Sequence, residues 1–396
     1  MTFEQLKDKV IQAFIQQHLE DDPTQLVLKA KQYDHLPIKA IAQHIQAKQK
    51  IKDKLPTWYA HPLVVYPAKI SLEQSSSEAT AKLKTSFVEG RALIDLTGGL
   101  GVDTFYFAKH FEKVIYVEPQ KALCEVAQQN FKTLGAHNIS CICDKASNVL
   151  SDYTGKVDVL YLDPARRDQQ QRSIAQLEAC EPNVLALLPQ LFTVGASVLL
   201  KTSPMLDIQQ ALKQLKYVHQ VVVVAYRNEC KEVLYLLKPT VVPITQVPIT
   251  TVHLGTIKET FTATFEQEAQ ASAKYGEPQR YLYEPNVAIM KAGFFQKIAV
   301  AFDLHKLHPD SHLYTSEHLK EKFPGRVFSI EAITKLDKSI LARYVPERKA
   351  SIIIRNFPQS AATIRKKINF KESARKYLIA TTTGNKRIII VATRLF

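Results

Sequence analysis

Apolar residues along this chain follow one rhythm near the start and another from residue 92 onward. From about residue 3 to 54 the rhythm is helical. Leu6, Val10, Phe14 and His18 recur at every fourth position with Ile11 and Ile15 beside them, which predicts an amphipathic helix. Asp22-Pro23-Thr24 interrupts the run, and Pro37 is placed to open another helix from Ile38 to about Lys54. Pro56 to Lys69 reads as a connector with one short strand at Leu63–Tyr66, and the Ser/Thr/Glu-rich stretch 72–81 suits a loop that caps a helix.

From Ala92 the runs shorten. Leu93–Leu96, Val114–Val117, Ile139–Ile142, Val157–Leu162 and Ala196–Leu200 read as buried strands, with helical stretches near 103–111, 119–134 and 173–190. Alternating strand and helix predicts an α/β fold, a doubly wound sheet of five parallel strands. Val221–Ala225 and Glu232–Leu237 follow with six residues between them, which predicts an antiparallel hairpin. Pro239 and Pro243 mark a boundary. Beyond it, Val252–Leu254, Phe261–Phe265 and Tyr281–Asn286 alternate with loops. The last section holds strands at Ala350–Ile354, Tyr377–Ala380 and Arg387–Val391 with a helix at Ala361–Lys367. The expected division is an N-terminal helical segment at 1–69, a doubly wound domain at 70–239, a mixed segment at 240–325 and a small α/β module at 326–396.

Composition changes this picture mainly through charge. The net charge of +14 is uneven: residues 326–396 hold 16 Lys and Arg against 4 Asp and Glu, or +12. Such a basic module points to a polyanionic partner, with a solvated basic face as the plain alternative. No apolar run approaches the roughly 20 residues of a membrane helix, and the polar start does not resemble a signal peptide, so a cytoplasmic protein without a membrane partner is expected. Five sparse cysteines suit reduced thiols, with Cys141 and Cys143 on one packed face of a strand. No metal site is expected; His305, His308 and His312 lie in a loop-like stretch with Pro309.

Candidate chemistry sits where the strands end. Asp95-Leu96-Thr97-Gly98-Gly99-Leu100-Gly101 follows the first strand, and Gly99 and Gly101 let the backbone approach a ligand and take positive φ. Asp95 can accept from a ligand ammonium. Glu118, ending the second strand, can accept from ribose hydroxyls, and Asp144, past the third, from an adenine amino group, with a helix cap as its alternative role. Acids after three successive strands favour S-adenosylmethionine. A dinucleotide fingerprint would need glycine or alanine where Thr104 stands.

Asp163-Pro164-Ala165-Arg166-Arg167-Asp168 follows the fourth strand, the position that faces the transferred methyl in this fold. Enzymes that methylate exocyclic amines of bases carry Asp or Asn, two prolines and an aromatic residue there. This chain keeps Asp163 and Pro164 but has Ala165 and Arg166 in place of the second proline and the aromatic. Arg166 can stack on a base through its guanidinium plane or bind phosphate. Asp163, Pro164 and Arg166 are the candidate catalytic residues; the alternative is a strand-end acid that orders its loop. Cys230, expected in the hairpin turn, is a poor candidate nucleophile.

Several segments read together carry a resemblance. They are Glu73–Ala81, Asp95–Asp103, Asp163–Arg167, Tyr281-Leu282-Tyr283-Glu284-Pro285-Asn286, Leu313–Ser316 with Phe323-Pro324-Gly325-Arg326, and Arg355-Asn356-Phe357-Pro358. The pattern resembles the bacterial family of class I S-adenosylmethionine-dependent methyltransferases with a C-terminal THUMP-like domain, over about 70 to 396. The resemblance implies the methyltransferase form of the doubly wound sheet, a ferredoxin-like segment at 240–325 and a THUMP-like module at 326–396. It also implies cofactor contacts at Gln74, Ser76 and the Gly99/Gly101 loop. Thr97, Asp103 and Asp163 join Asp95, Glu118 and Asp144 in the candidate cofactor set.

THUMP domains proper bind RNA, so the resemblance suggests RNA as partner. Arg365, Lys366, Lys367, Arg375 and Lys376, with Lys371 and Lys386-Arg387, are the candidate phosphate contacts. Tyr281, Tyr283 and Phe357 are expected to pack rather than stack on bases. The expected function is methylation of a base in structured RNA, transfer or ribosomal. The alternatives are a protein or small-molecule methyltransferase, or a catalytically silent RNA-binding protein.

Overall fold

The computed structural model of the chain describes residues 1–67, 72, 74–166 and 177–396, and of Arg166 the backbone alone. The described residues fall into two compact units, Met1–His219 with Leu234–Val241, and Gln220–Val233 with Val242–Phe396.

The first unit opens with helices Phe3–Lys7, Lys9–Gln17, Pro23–Leu28 and Ile38–Ile51. The expected single stripe through Leu6 and Val10 is corrected by Asp8. Its carboxylate accepts from the backbone of Val10 and Ile11 and starts a new helix, as capping acids do. The break resets the face: Leu6, Ile11, Phe14 and Ile15 are buried, while Val10 is 59% exposed. These residues share an apolar cluster with Leu26, Ile38, Ile41 and Ile45. A second cluster packs Ile51, Leu55 and Trp58 against Phe105, Tyr106, Tyr116 and Phe131, which seats the helical segment on the α/β part of this unit.

Leu63–Tyr66 is not a strand. Val65 donates its N–H to Asn130 Oδ1 and accepts from Asn130 Nδ2, both at 2.9 Å, so one buried amide replaces a ladder neighbour.

Strands β1 (Ala92–Asp95), β2 (Lys113–Val117), β3 (Ile139–Ile142) and β4 (Val157–Leu162) precede a short antiparallel pair, β5 (Ala165–Arg166) and β6 (Cys180–Glu181). Then come β7 (Gly195–Thr202), β8 (Val218–Tyr226) and β9 (Glu229–Leu237). β3–β2–β1–β4–β7 is parallel throughout, as expected, and β9 lies beside β7. The chain leaves β1 toward β2 and β3 and returns on its other side as β4, so a switch point opens beyond the carboxyl ends of β1 and β4. The helix expected at 173–190 is described from Val184 to Val194, capped by Asn183; residues 173–176 lie outside the described set. The hairpin turn is tighter than the predicted six residues. Arg227 and Asn228, at φ 51° and 60°, make it alone, in the left-handed pair that matches strand twist. Cys230 therefore sits in β9, not in the turn.

Two cysteines depart from the expected reduced set. Cys124, in the first turns of helix Lys121–Thr133, is bonded to Cys143, just past β3, with Cα atoms 5.9 Å apart. The β2–helix–β3 crossover lays that helix start beside the strand end. Cys143 thus faces Cys124 rather than a packed strand face.

In the second unit β10 (Ile249–Leu254) pairs in parallel with β8, and β11 (Lys258–Ala263) runs antiparallel beside β10. The strand expected to reach Phe265 stops at Ala263, because Thr264 caps helix Phe265–Gln270. A separate sheet holds β12 (Tyr281–Pro285), β13 (His305–Lys306), β14 (Tyr314–Ser316), β15 (Gly325–Thr334), β16 (Ser351–Arg355), β17 (Lys376–Thr383) and β18 (Lys386–Arg394). Its order is β13–β14–β12–β15–β18–β17–β16. Alternate residues of β17 and β18 enter different clusters. Leu378, Ala380, Ile389 and Val391 pack with Leu341, Ile364 and Ile368 of two helices. Tyr377, Ile379, Ile390 and Ala392 pack with Leu282, Leu307 and Phe328. Among the described residues no helix is long and apolar enough to cross a membrane.

Asn130→Ala should cost about 2–4 kcal/mol, because it strands a buried N–H and C=O of Val65. Urea unfolding checks this, and an unchanged midpoint at unchanged slope would reject the role given to Asn130.

Candidate functional site

The loop after β1 owes its shape to three glycines with different duties. A Cβ on Gly98 would lie 2.1 Å from the Tyr116 ring, and one on Gly101, at φ 84°, would lie 2.4 Å from Phe131. Both are packing requirements. A Cβ on Gly99, at φ 53°, would meet only the Thr97 carbonyl oxygen at 3.8 Å, an ordinary contact, so its backbone is the least crowded part of the loop. The Tyr116 hydroxyl donates to the Gly99 carbonyl at 2.6 Å, and the Gly99 N–H donates to Glu118 at 3.1 Å. Glu118 also accepts from Gln120 N–H, and burial raises its pKa.

Asp95 is turned into the loop. One oxygen accepts from Thr97 N–H at 3.0 Å, the other from the Thr104 hydroxyl at 2.6 Å. Thr104, read from sequence only as a missing glycine, is what holds this acid. Asp144 accepts from Lys145 N–H and from Asn148 Nδ2 on one oxygen. The N-cap of helix Ala146–Asp152 is Lys145, with no side-chain cap, so the helix-cap alternative is not what the structure shows.

Beneath the loop lies a buried charge network. Asp103 accepts from Ser76 at 2.7 Å and Tyr161 at 2.8 Å and pairs with the fully buried Lys84 at 3.1 Å. Burial alone would raise the Asp103 pKa. Lys84 and then Lys201, with these hydrogen bonds, hold it below the usual carboxylate range. Ser76 and Asp103 thus serve each other, and Gln74 is exposed.

Asp163 extends the network toward solvent. Its N–H donates to Thr97 Oγ1 at 2.6 Å, and its carboxylate pairs with Lys201 at the end of β7. The Asp163 side chain is 35% exposed and that of Lys201 12%. Pro164 is half-buried beside it. The Arg166 side chain lies outside the described set. Lys201 was not among the residues read from sequence. The signal available was a lysine closing the apolar run Val198-Leu199-Leu200.

The remaining candidates lie elsewhere. Burial pushes the Cys230 thiol up to about 11, which suppresses the thiolate a nucleophile needs. His312 stacks on Phe295, and burial, with Lys306 nearby, holds it down to about 4. Among the described residues no group of three His, Cys, Asp or Glu is placed to hold a metal. In the basic module Arg365 pairs with Glu372 and Lys376 with Glu331. Lys366, Lys367, Lys371 and Arg375 are exposed. Tyr283 is fully buried and Phe357 packs in a core cluster.

The parallel order around β1, the glycine loop and the strand-end acids define the class I methyltransferase fold. Comparison with known proteins narrows this. Residues 281–324 match a ferredoxin-like domain and 325–394 a THUMP-like domain. The crystal structure of a Porphyromonas gingivalis W83 protein assigned as a methyltransferase is 31% identical, covers 97% of both chains and superposes with a TM-score of 0.85. The chain belongs to this family of class I methyltransferases with ferredoxin-like and THUMP-like domains. It is also 31% identical over 121 residues to an uncharacterised RNA methyltransferase of Staphylococcus aureus, covering 28% of this chain and 27% of that one. A Thermosynechococcus vestitus protein of the same description is 35% identical over 94 residues, 24% of this chain and 21% of its own. The match spans about a quarter of the length of these curated relatives.

Burial lifts the Asp95 carboxyl from 3.8 to about 7. Between those values the folded chain keeps a proton that the unfolded chain has lost, so this group's contribution to stability falls as pH rises and is gone above about 7. Asn at this position can accept from Thr97 and donate to Thr104. Asp95→Asn should therefore gain stability relative to native between about pH 4 and about pH 7. Urea unfolding of both proteins across this range is the check; parallel curves would refute a raised Asp95 pKa.

Proposed function

We propose that the protein is an S-adenosylmethionine-dependent methyltransferase that modifies a base of structured RNA, transfer or ribosomal, in the cytoplasm. The observation that carries the reading is Asp163. Its backbone N–H is held by Thr97 of the glycine loop and its carboxylate by Lys201, yet the side chain is a third exposed at the end of β4.

The residues fit the cofactor. The Gly99 backbone takes its amino-acid end, Glu118 its ribose hydroxyls, and Asp144 offers the oxygen not engaged by Lys145 and Asn148 to the adenine amine. When bound, the cofactor supplies an electrophilic methyl on sulfur. The protein's part is orientation, because in-line displacement needs alignment more than acid or base help. Lys201 holds one Asp163 oxygen, and the other is directed to an acceptor amine. The basic residues of 326–396, foremost the exposed Lys366, Lys367, Lys371 and Arg375, contribute phosphate contacts.

The test is transfer of labelled methyl to total RNA and, separately, to total protein. RNA should be labelled, and Asp163→Ala should lower the rate about 100-fold, the scale of a misplaced reactive group. Label on protein instead, or equal transfer by native and variant, would reject the reading. RNA affinity should fall steeply with salt. The slope should flatten by roughly 0.7–0.9 for each lysine lost in Lys366→Gln and Lys367→Gln.

A further inference from the structure

Three segments of the family pattern lie outside the cofactor site and meet at one carboxylate. Glu284, near the end of β12, is 2% exposed. Arg326, its register partner on β15, donates Nε to Glu284 Oε2 at 2.7 Å and pairs with it through Nη2 as well. Arg355, the last residue of β16, brings Nη2 to 2.6 Å from the other oxygen. In the sheet order β12 and β16 are separated by β15, β18 and β17, so this arginine comes from the far edge.

The charges do not cancel. Two guanidiniums share one carboxylate, and at His312 the charges of Lys306 and Arg355 oppose that of Asp310. The hydrogen bonding is also incomplete. Arg355 gives Nη1 to the Ile354 carbonyl at 2.9 Å, but its Nε is buried with no partner, as is His312 Nδ1. Glu284 Oε1, although ion-paired with Arg355, also lacks a hydrogen bond, and both arginines are partly exposed, the Arg326 side chain 27% and the Arg355 side chain 36%.

Burying an ion triad is a poor way to gain stability, since apolar side chains of similar volume serve as well or better. A single arginine would satisfy Glu284. The second adds excess positive charge on partly exposed guanidiniums held by Glu284. That is the arrangement that suits bidentate recognition of phosphate.

We propose that Arg326 and Arg355 form a docking site for a phosphate group of a polynucleotide, with Glu284 as the residue that positions both forks. Binding of phosphate stands on this geometry alone; the polynucleotide source rests on the RNA reading.

Two probes separate these. Calorimetry with inorganic pyrophosphate should show binding by the full-length protein that weakens at least tenfold in Arg355→Gln and Arg326→Gln. Filter binding of total transfer RNA should weaken about tenfold in the same variants, with the salt slope falling by about 1. Arg355→Lys, which keeps the charge and loses the fork, covers the case in which glutamine prevents folding. It should melt like native by circular dichroism and still bind pyrophosphate several-fold more weakly. Native protein without affinity for pyrophosphate, or variants that bind it as native does, would overturn the site. Pyrophosphate binding without RNA binding would keep the site and remove the RNA reading. RNA binding unaltered by Arg355→Gln would do the reverse.

Discussion

The buried carboxylate of Asp103 is the constraint on which the first unit depends. It is almost fully withdrawn from water, and such a charge is tolerable only if paired and hydrogen-bonded. Its partners come from four places: Ser76 before a helix, Lys84 within that helix, Tyr161 on β4 and, at longer range, Lys201 on β7. Satisfying one acid therefore fixes the segment before β1, the helix after the glycine loop and the ends of two strands. Charges alternate from Lys84 through Asp103 and Lys201 to Asp163, so the exposed acid of the series inherits its position from the buried one. Removing one partner of a buried pair costs about 3–5 kcal/mol, more than any single surface ion pair here could offset.

How much of this was legible follows from what each signal depends on. The five parallel strands were readable because a strand buried on both faces must be a continuous apolar run, whatever packs against it. Val159–Leu162 and Val198–Leu200 are such runs. The loop at Asp95–Gly101 was readable because its backbone demands glycine locally. The features missed depend on partners distant in sequence. Val65 looks like a strand residue until Asn130 supplies its hydrogen bonds. Val10 looks like part of a stripe until Asp8 breaks the helix. Cys143 looks like a packing residue until the crossover places Cys124 beside it. Lys201 looks like a strand-end lysine, and its proximity to Asp163 is a property of strand order alone.

The glycines and the acid of the loop each answer to more than one demand. Gly99 and Gly101 are read as backbone that can approach a ligand and take positive φ, and both take it, at 53° and 84°. A side chain on Gly101 would in addition meet Phe131, and one on Gly98, which drew no reading, Tyr116. Of these three, Gly99 alone has no clash to avoid. Asp95 was read as reaching the ligand, yet both oxygens are engaged by Thr97 and Thr104. Thr97 in turn accepts from the backbone of Asp163. The acid after β1 and the acid after β4 are thereby linked through one threonine, and the loop transmits the position of β1 to the candidate catalytic side chain.

The same reasoning bears on the departure from the amine-methylating pattern after β4. In that pattern two prolines stiffen the loop and an aromatic residue holds the base. Here Ala165 replaces the second proline, and stiffness has other sources: the Thr97 bond to the Asp163 backbone, the Lys201 pair, and the β5–β6 bridge that begins at Ala165. An acid held this firmly by protein groups needs less help from the substrate to adopt its working position. On the proposed reading the loop then needs no aromatic as an orienting element. On the same reading, phosphate contacts by the partly exposed arginines and the lysines of the second unit, rather than base contacts beside Asp163, carry most of the affinity for RNA.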